Sequence, residues 1–204
     1  ILFICSVKRG IPMKPTTDDV LIFKAVLLYI ISHSEERKRD VYSIVKTAFY
    51  AQQISFAKWG SPIFNDEICA LPFGPAPSNL YGVLRMARGE EREIGFHRYD
   101  DMHLASDAID YENERFSVRE EPDLDYLSRA DVECLDEAIK KVAAMSFDEI
   151  VSATHGEEWA RVYNNAIPGR KVMDNLNIAR EGGASEAIVE YLSEYFSLKL
   201  ALGC

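Results

Sequence analysis

The chain has 204 residues, with 23 Lys and Arg against 33 Asp and Glu, for a formal charge of −10. Apolar residues make up 48% and charged residues 27%, a balance that lets a chain this long bury its own core without disulfides or metals. The acidic balance excludes a general nucleic-acid binder, which needs clustered Lys and Arg, and no apolar run reaches the ~20 residues of a membrane span.

Residues 1–12 read as a tail outside the domain, because Met13 follows a basic, Pro-containing stretch. Residues 13–204 then read as one domain. The spacing predicts a first helix over 18–32, capped by Thr17 and apolar almost all round, hence central in the core. A charged loop follows at Glu35–Arg39. Asp40 caps a second helix over 41–58, whose stripe is Val41, Ile44, Val45, Ala48, Phe49, Gln52 and Phe56. Gln52 on that stripe is either a hydrogen-bonded core group or an exposed groove residue. Gly60, Ser61 and Pro62 end the helix.

Ile68–Leu71 reads as a short strand. Gly74-Pro75-Ala76-Pro77 reads as a fixed, extended loop, because proline locks φ and restricts its predecessor. Ser78 caps a predicted helix over 79–88. Residues 94–97 and 115–118 have strand character. Three S/T-x-x-acid boxes follow: Ser128 with Asp131, Ser146 with Glu149, and Thr154 with Glu157. They predict helices over 129–144, 147–153 and 155–164. A short helix near 172–180 and a last one over 186–200, capped by Ser185, complete the order. The fold class is mainly α (α+β), a helical domain with a small β region in the middle.

Residues 100–160 hold 18 acidic and 5 basic side chains, net −13; the remainder holds 15 and 18, net +3. This segment is either a solubilising surface or an acidic face for a cationic partner. Cys5, Cys69, Cys134 and Cys204 form no C-x-x-C pair, which fits thiols in a reducing cytoplasm. His97, Asp100, Asp101 and His103 are the one metal-like cluster. No helical or strand register brings all four to one point, so an exposed polar loop is the reading and no metal is assigned. His155-Gly156-Glu157 matches an H-x-E but lacks the downstream P-C-x-x-C of zinc deaminases. No phosphate-binding loop, dinucleotide fingerprint or nucleophile elbow is present, so no cofactor and no catalytic residue is assigned. His155 and Trp159, four apart on one predicted helix, read as local packing or as an aromatic anchor.

Three blocks carry a resemblance. They are Lys46-Thr47-Ala48-Phe49-Tyr50-Ala51-Gln52 with Gly60-Ser61-Pro62-Ile63; Ala70 to Tyr81 around Gly74-Pro75-Ala76-Pro77; and Cys134–Ile139 with Met145 to Trp159. In that order they resemble the Panacea domain, the SocA-like antitoxin and phage-associated GepA-like group, over roughly residues 20–165. The resemblance implies a protein that is not an enzyme. It implies an antitoxin that binds its cognate toxin directly, with one family member delivering its toxin to a cellular protease. It marks Tyr50, Gln52, Gly60, Gly74, Pro75, Tyr81, His155 and Trp159 as motif residues that build the scaffold or a partner-binding pocket. The acidic segment then suggests a basic toxin. Two rivals stand beside this reading: a DNA-binding autoregulator using helices one and two, and a metal-dependent hydrolase centred on His97–His103.

Overall fold

The computed structural model describes residues 15–90, 101–165 and 171–202. The expected tail at 1–12, the strand at 94–97, and His97 and Asp100 lie outside these. Among the described residues the order is α1 (Thr17–His33), α2 (Val41–Trp59), β1 (Ile68–Leu71), β2 (Gly74–Pro77), α3 (Ser78–Ala87), α4 (His103–Ser106), β3 (Ile109–Glu112), β4 (Arg115–Val118), α5 (Arg129–Ala143), α6 (Phe147–Thr154), α7 (Glu157–Asn165), α8 (Asn175–Glu181) and α9 (Glu186–Leu202). Short 3-10 turns lie at Glu36–Lys38 and Leu124–Tyr126. Among the described residues the protein is mainly helical with two two-stranded antiparallel sheets, in keeping with the expected mainly α class with a small β region.

α1 and α2 form the centre. α1 buries Val20, Phe23 and the run Ala25–Ile31, which is why its sequence shows no polar face. α2 packs against α5, α8, α9 and α1. It buries Ser43–Gln52, Ser55 and Phe56, and ends on Gly60, whose φ of +61° is the left-handed cap that glycine adopts without strain. α9 crosses that cap: a side chain at Gly60 would meet Tyr191 Cδ1 at 3.0 Å.

The caps divide into local and distant ones. Asp40, Ser128 and Ser146 cap α2, α5 and α6 as expected, the last two in complete capping boxes. The box on α1 is set by Thr16 with Asp19, one residue before the expected Thr17. Thr17 instead donates to Asp101 Oδ2 at 2.6 Å, fastening α1 to the turn before α4.

Two expected caps are replaced by groups remote in sequence. Ser78 is already the first residue of α3, and its amide is taken by the Glu67 carbonyl at 2.9 Å. The cap comes from Asp66, whose carboxylate accepts from the Asn79 amide at 2.9 and 3.0 Å and the Leu80 amide at 3.0 Å. Thr154 does not open a helix. It closes α6, with its hydroxyl donating to Ile150 O at 2.8 Å. The first turn of α7 is met by Glu181, which accepts from the Glu158 amide at 2.6 Å. Removing Asp66 as alanine is therefore expected to cost about 2 kcal/mol in urea unfolding, whereas Ser78→Ala should change stability by less than about 0.5 kcal/mol.

Gly74–Pro77 is a strand, not a loop. It pairs with β1 in the register Ile68↔Pro77, Cys69↔Ala76, Ala70↔Pro75 and Leu71↔Gly74. Its prolines lack an N–H but occupy a strand with only one partner, so no second ladder goes unmade. The other edge of β1 is covered by residues 171–173: Ala70 N donates to Lys171 O at 2.7 Å and Met173 N to Ile68 O at 2.8 Å. The predicted strand at 115–118 is present as β4 and pairs with β3, which the sequence reading did not anticipate.

Candidate functional site

Apart from Tyr42, the residues that converge come from the three sequence blocks. α2 supplies Tyr42, Lys46 and Tyr50. The β1–β2 hairpin supplies Gly74 and Pro75, and the α6–α7 junction supplies Thr154, His155 and Trp159. Lys46 is 2% exposed, and its ammonium donates to Pro75 O at 2.6 Å. It also stands 5.2 Å from the centre of the Tyr42 ring.

Gly74 makes the convergence possible. Its φ is +95°, and a side chain there would lie 2.7 Å from Thr154 Oγ1, 2.9 Å from Lys46 Nζ and 3.3 Å from His155 Cδ2. Only a residue without Cβ admits all three groups.

His155 caps the C-terminus of α6 and stacks on Trp159 of α7, with ring centres 3.6 Å apart and planes 4° from parallel. The two therefore lie on either side of a helix break, whereas their spacing predicts a single helix. The stack bridges two helices across the Gly156 break. It continues to Tyr163 at 4.7 Å, and the Trp159 indole donates to Leu71 O at 2.9 Å, tying α7 to the hairpin.

Tyr50 is 2% exposed, with Lys141 of α5 lying 3.9 Å over its ring. Gln52 is the hydrogen-bonded core group, not a groove residue. Its Oε1 accepts from the Ile63 amide at 2.9 Å and its Nε2 donates to Phe64 O at 3.0 Å, pinning the chain after Gly60. Of the eight residues singled out by sequence, Gly74, Pro75, His155 and Trp159 come together here, and Tyr50 is buried on α2, one turn beyond Lys46. Gln52 and Gly60 shape the end of α2 elsewhere. Tyr81 sits on α3, half-buried, with Arg85 6.0 Å over its ring. Lys46 and Thr154 belong to the site although neither was singled out. The signal was a lysine and a threonine inside otherwise matching motif blocks.

Burial shapes the electrostatics. It lowers Lys46 to about 7 and raises Tyr42 to about 12. Tyr50 is also pushed up by burial, while burial and then the nearby Lys46 charge push His155 down. Lys46 in the folded chain thus holds fewer protons than in the unfolded chain between about pH 7 and the ordinary lysine value of 10.5. The unfolded state binds more protons there, so this group makes stability rise with pH across that window. The stability difference between the native protein and Lys46→Met should change by about 1.4 kcal/mol per pH unit inside the window and flatten below it. Urea titrations of both proteins at pH 6, 8 and 9 read this directly. A pH-independent difference would show that Lys46 stays protonated.

Glu158 holds the back of the site. It is 3% exposed and accepts from Arg161 at 2.7 Å, the Asp174 amide at 2.7 Å and Asn177 Nδ2 at 2.9 Å. Burial opposes its charge, but these donors outweigh burial and hold it below the usual carboxylate range.

Next to the buried cluster the surface is aromatic. Phe73, in the β1–β2 turn, is 63% exposed, and Phe147, first residue of α6, is 50% exposed. Their ring centres are 6.2 Å apart, and Phe147 lies 4.5 Å from Tyr42. A second exposed apolar pair, Leu124 and Tyr126, stands in the 3-10 turn beside Glu120, Glu121, Asp123 and Asp125. Glu120 pairs with Lys24 of α1, so part of the acidic segment is neutralised by the body of the protein. Asp110 with Arg119 and Glu133 with Arg129 pair within the segment itself, and Glu137 pairs with Lys58 of α2.

Of the metal-like cluster, only Asp101 and His103 are described. Asp101 accepts from Thr17. Among the described residues no group of three or more His, Cys, Asp and Glu is arranged to hold a metal, and no helix is long and apolar enough to cross a membrane. Cys69 and Cys134 are buried.

A family model described as "Antitoxin SocA-like, Panacea domain" matches residues 44–160, more than half of the chain and all three converging blocks. Comparison with curated proteins and with solved structures yields no match.

Proposed function

The chain belongs to the SocA-like Panacea antitoxin family, and from that premise we propose that it neutralises a cognate toxin protein by gripping it directly, without catalysis. The observation that carries this reading is the exposed Phe73–Phe147 pair. Two adjacent phenylalanines in water are costly for a free protein, and aromatic side chains of this kind dominate interface energetics once buried. Both are fixed by motif elements: Phe73 by the hairpin whose Pro75 carbonyl binds Lys46, and Phe147 by the Ser146–Glu149 box. A rigid pair loses little freedom on binding.

The acidic segment fits a supporting role. Glu121, Asp123 and Asp125 form no ion pair among the described residues and flank Leu124 and Tyr126. Such charges speed encounter with a basic toxin more than they tighten the complex. Reversing all three to lysine should slow association about tenfold at low salt, with little change in dissociation, in stopped-flow mixing with the purified product of the adjacent gene. Unchanged association would remove the electrostatic part and leave the aromatic part standing. Transfer of the bound toxin to a cellular protease is a further possible outcome of the same grip. Toxin half-life in cells with and without this chain separates masking from degradation.

The autoregulator alternative receives no support from α2. Lys46 is buried against Pro75, and Lys58 pairs with Glu137. Neither is left to neutralise phosphate. Co-expression with the adjacent gene tests the antitoxin reading as a whole: growth arrest that this chain fails to relieve would overturn it.

A further inference from the structure

α9 carries apolar side chains on two faces, and the body of the protein covers one of them. Val189 and Leu192 are buried, Ile188 and Phe196 pack against the core, and the Phe196 ring meets Phe56 of α2 at 6.0 Å. A second row runs beside the first. Tyr191 is 57% exposed, Leu198 is 61% exposed, and Tyr195 between them is half-buried. The three are spaced four and then three residues apart, the alternation that aligns side chains along a helix and lets two such rows interlock. The row starts at the end of α2. Tyr191 Cδ1 lies 3.0 Å from where a Cβ on Gly60 would stand, and Trp59, next to Gly60, is exposed as well. α9 lies outside residues 44–160, so this face is not part of the matched family region.

The charges beside the row say what covers it. Glu194 and Lys199 lie on opposite sides of the row, five residues apart, too far round the helix to pair with each other. Glu194 makes no ion pair among the described residues, and Lys199 stands 5.9 Å over the Tyr195 ring. In two parallel helices that share such a row, residues placed this way meet across it, Glu194 of each copy reaching Lys199 of the other. Two-fold symmetry makes the contact twice. Antiparallel helices would instead set Glu194 on the same side as its own copy. A uniformly basic partner would be repelled by Lys199, and an anionic lipid surface by Glu186, Glu190 and Glu194 on the same helix.

We propose that the Tyr191, Tyr195 and Leu198 face of α9, with Trp59 at its start, is the seam of a parallel homodimer of this chain. Glu194 of one copy and Lys199 of the other fix its register. The seam is short and each copy carries −10, so the dimer is weak, with a dissociation constant on the order of 10 µM. Tyr42, beside Phe147, and Trp59 mark opposite ends of α2, roughly 25 Å apart, so the dimer leaves the Phe73–Phe147 surface of each copy open. Dimerisation does not depend on whether the chain neutralises a toxin.

The test is sedimentation equilibrium of the full chain without toxin, from about 1 to 200 µM in ~0.15 M salt. The mass should rise from one chain to two across that range. Leu198→Glu should weaken dimerisation at least about tenfold and leave the melting temperature within about 2 °C, because the side chain is exposed. Glu194→Lys should weaken it about fivefold, although it lowers the overall repulsion between two acidic chains, because lysine then faces lysine across the seam. Glu194→Lys combined with Lys199→Glu should restore the native affinity, since the pair is rebuilt with its signs exchanged. A chain that stays monomeric at the highest concentration overturns the proposal. A dimer indifferent to Leu198→Glu uses another surface and overturns it too. A dimer weakened by Leu198→Glu but not by Glu194→Lys is not parallel, and the proposed seam fails. If Leu198→Glu does not fold, the single and double charge reversals decide: a single reversal without effect, or a double reversal without recovery, overturns the seam.

Discussion

Replacing Phe73 and Phe147 together by alanine is expected to weaken toxin binding at least about 100-fold and to abolish growth rescue, while the protein still folds. The magnitude follows from the usual weight of central aromatic anchors, about 2 kcal/mol or more each when a partner buries them. The fold should tolerate the change because half or more of each side chain faces solvent. The main internal loss is the contact between Phe147 and Tyr42 at 4.5 Å, worth about 1 kcal/mol. Leu124→Ser with Tyr126→Ser serves as the comparison, since it removes a second exposed pair at the other end of α5. Isothermal titration against the purified toxin ranks the two double variants. If the Phe73/Phe147 variant binds as tightly as the native protein while the Leu124/Tyr126 variant does not, the gripping surface is the acidic turn.

Gly74→Ala is expected to lower stability by about 3 kcal/mol or more, a fall of roughly 6–12 °C in melting temperature for a chain of this size. Two effects combine. A left-handed backbone costs an ordinary residue about 1–2 kcal/mol, and here φ is +95°. The new methyl would also strike Thr154 Oγ1 and Lys46 Nζ, at 2.7 and 2.9 Å. Both groups are fixed by hydrogen bonds to backbone carbonyls, so neither yields freely. Gly183 supplies the control: its φ of +90° is nearly the same, but nothing lies within 4 Å of its missing Cβ. Gly183→Ala should therefore show the backbone cost alone, and the gap between the variants measures the crowding at the site. Equal losses would mean that the cluster opens easily, against the rigid convergence described above.

Much of the fold was legible because its signals are local. α2 could be placed from Asp40 to Gly60, since a side-chain cap, a 3.6-residue apolar stripe and a left-handed glycine all lie within the segment itself. The same holds for α5 and α6, opened by Ser128 and Ser146. The Thr154 box failed because the pattern S/T-x-x-acid only offers a cap. Here Gly156 lets Glu181 approach the start of α7, where a side chain would lie 2.7 Å from its carboxylate, and Thr154 turns inward. Asp66 displaced Ser78 in the same way: a carboxylate accepting backbone N–H bonds is a stronger cap than a hydroxyl, whatever its distance in sequence. Gly74–Pro77 was legible as extended but not as paired, because strand pairing depends on the partner rather than on φ.

The sequence by itself determined the helical class, most element boundaries and membership in the antitoxin family, because periodicity, caps and ordered motifs are written along the chain. It also showed a net +3 body carrying a −13 segment. The tertiary structure alone decided which motif residues meet. Lys46, Gly74 and His155 are far apart in sequence, and only the packing of the hairpin between α2 and the α6–α7 junction brings them within contact. It decided that Lys46 is buried, that Gln52 pins a loop rather than lining a groove, and that part of the acidic segment is neutralised by Lys24 and Lys58. The physical reason is common to all three. Burial and charge pairing are properties of neighbours in space, and a side chain's sequence does not name them.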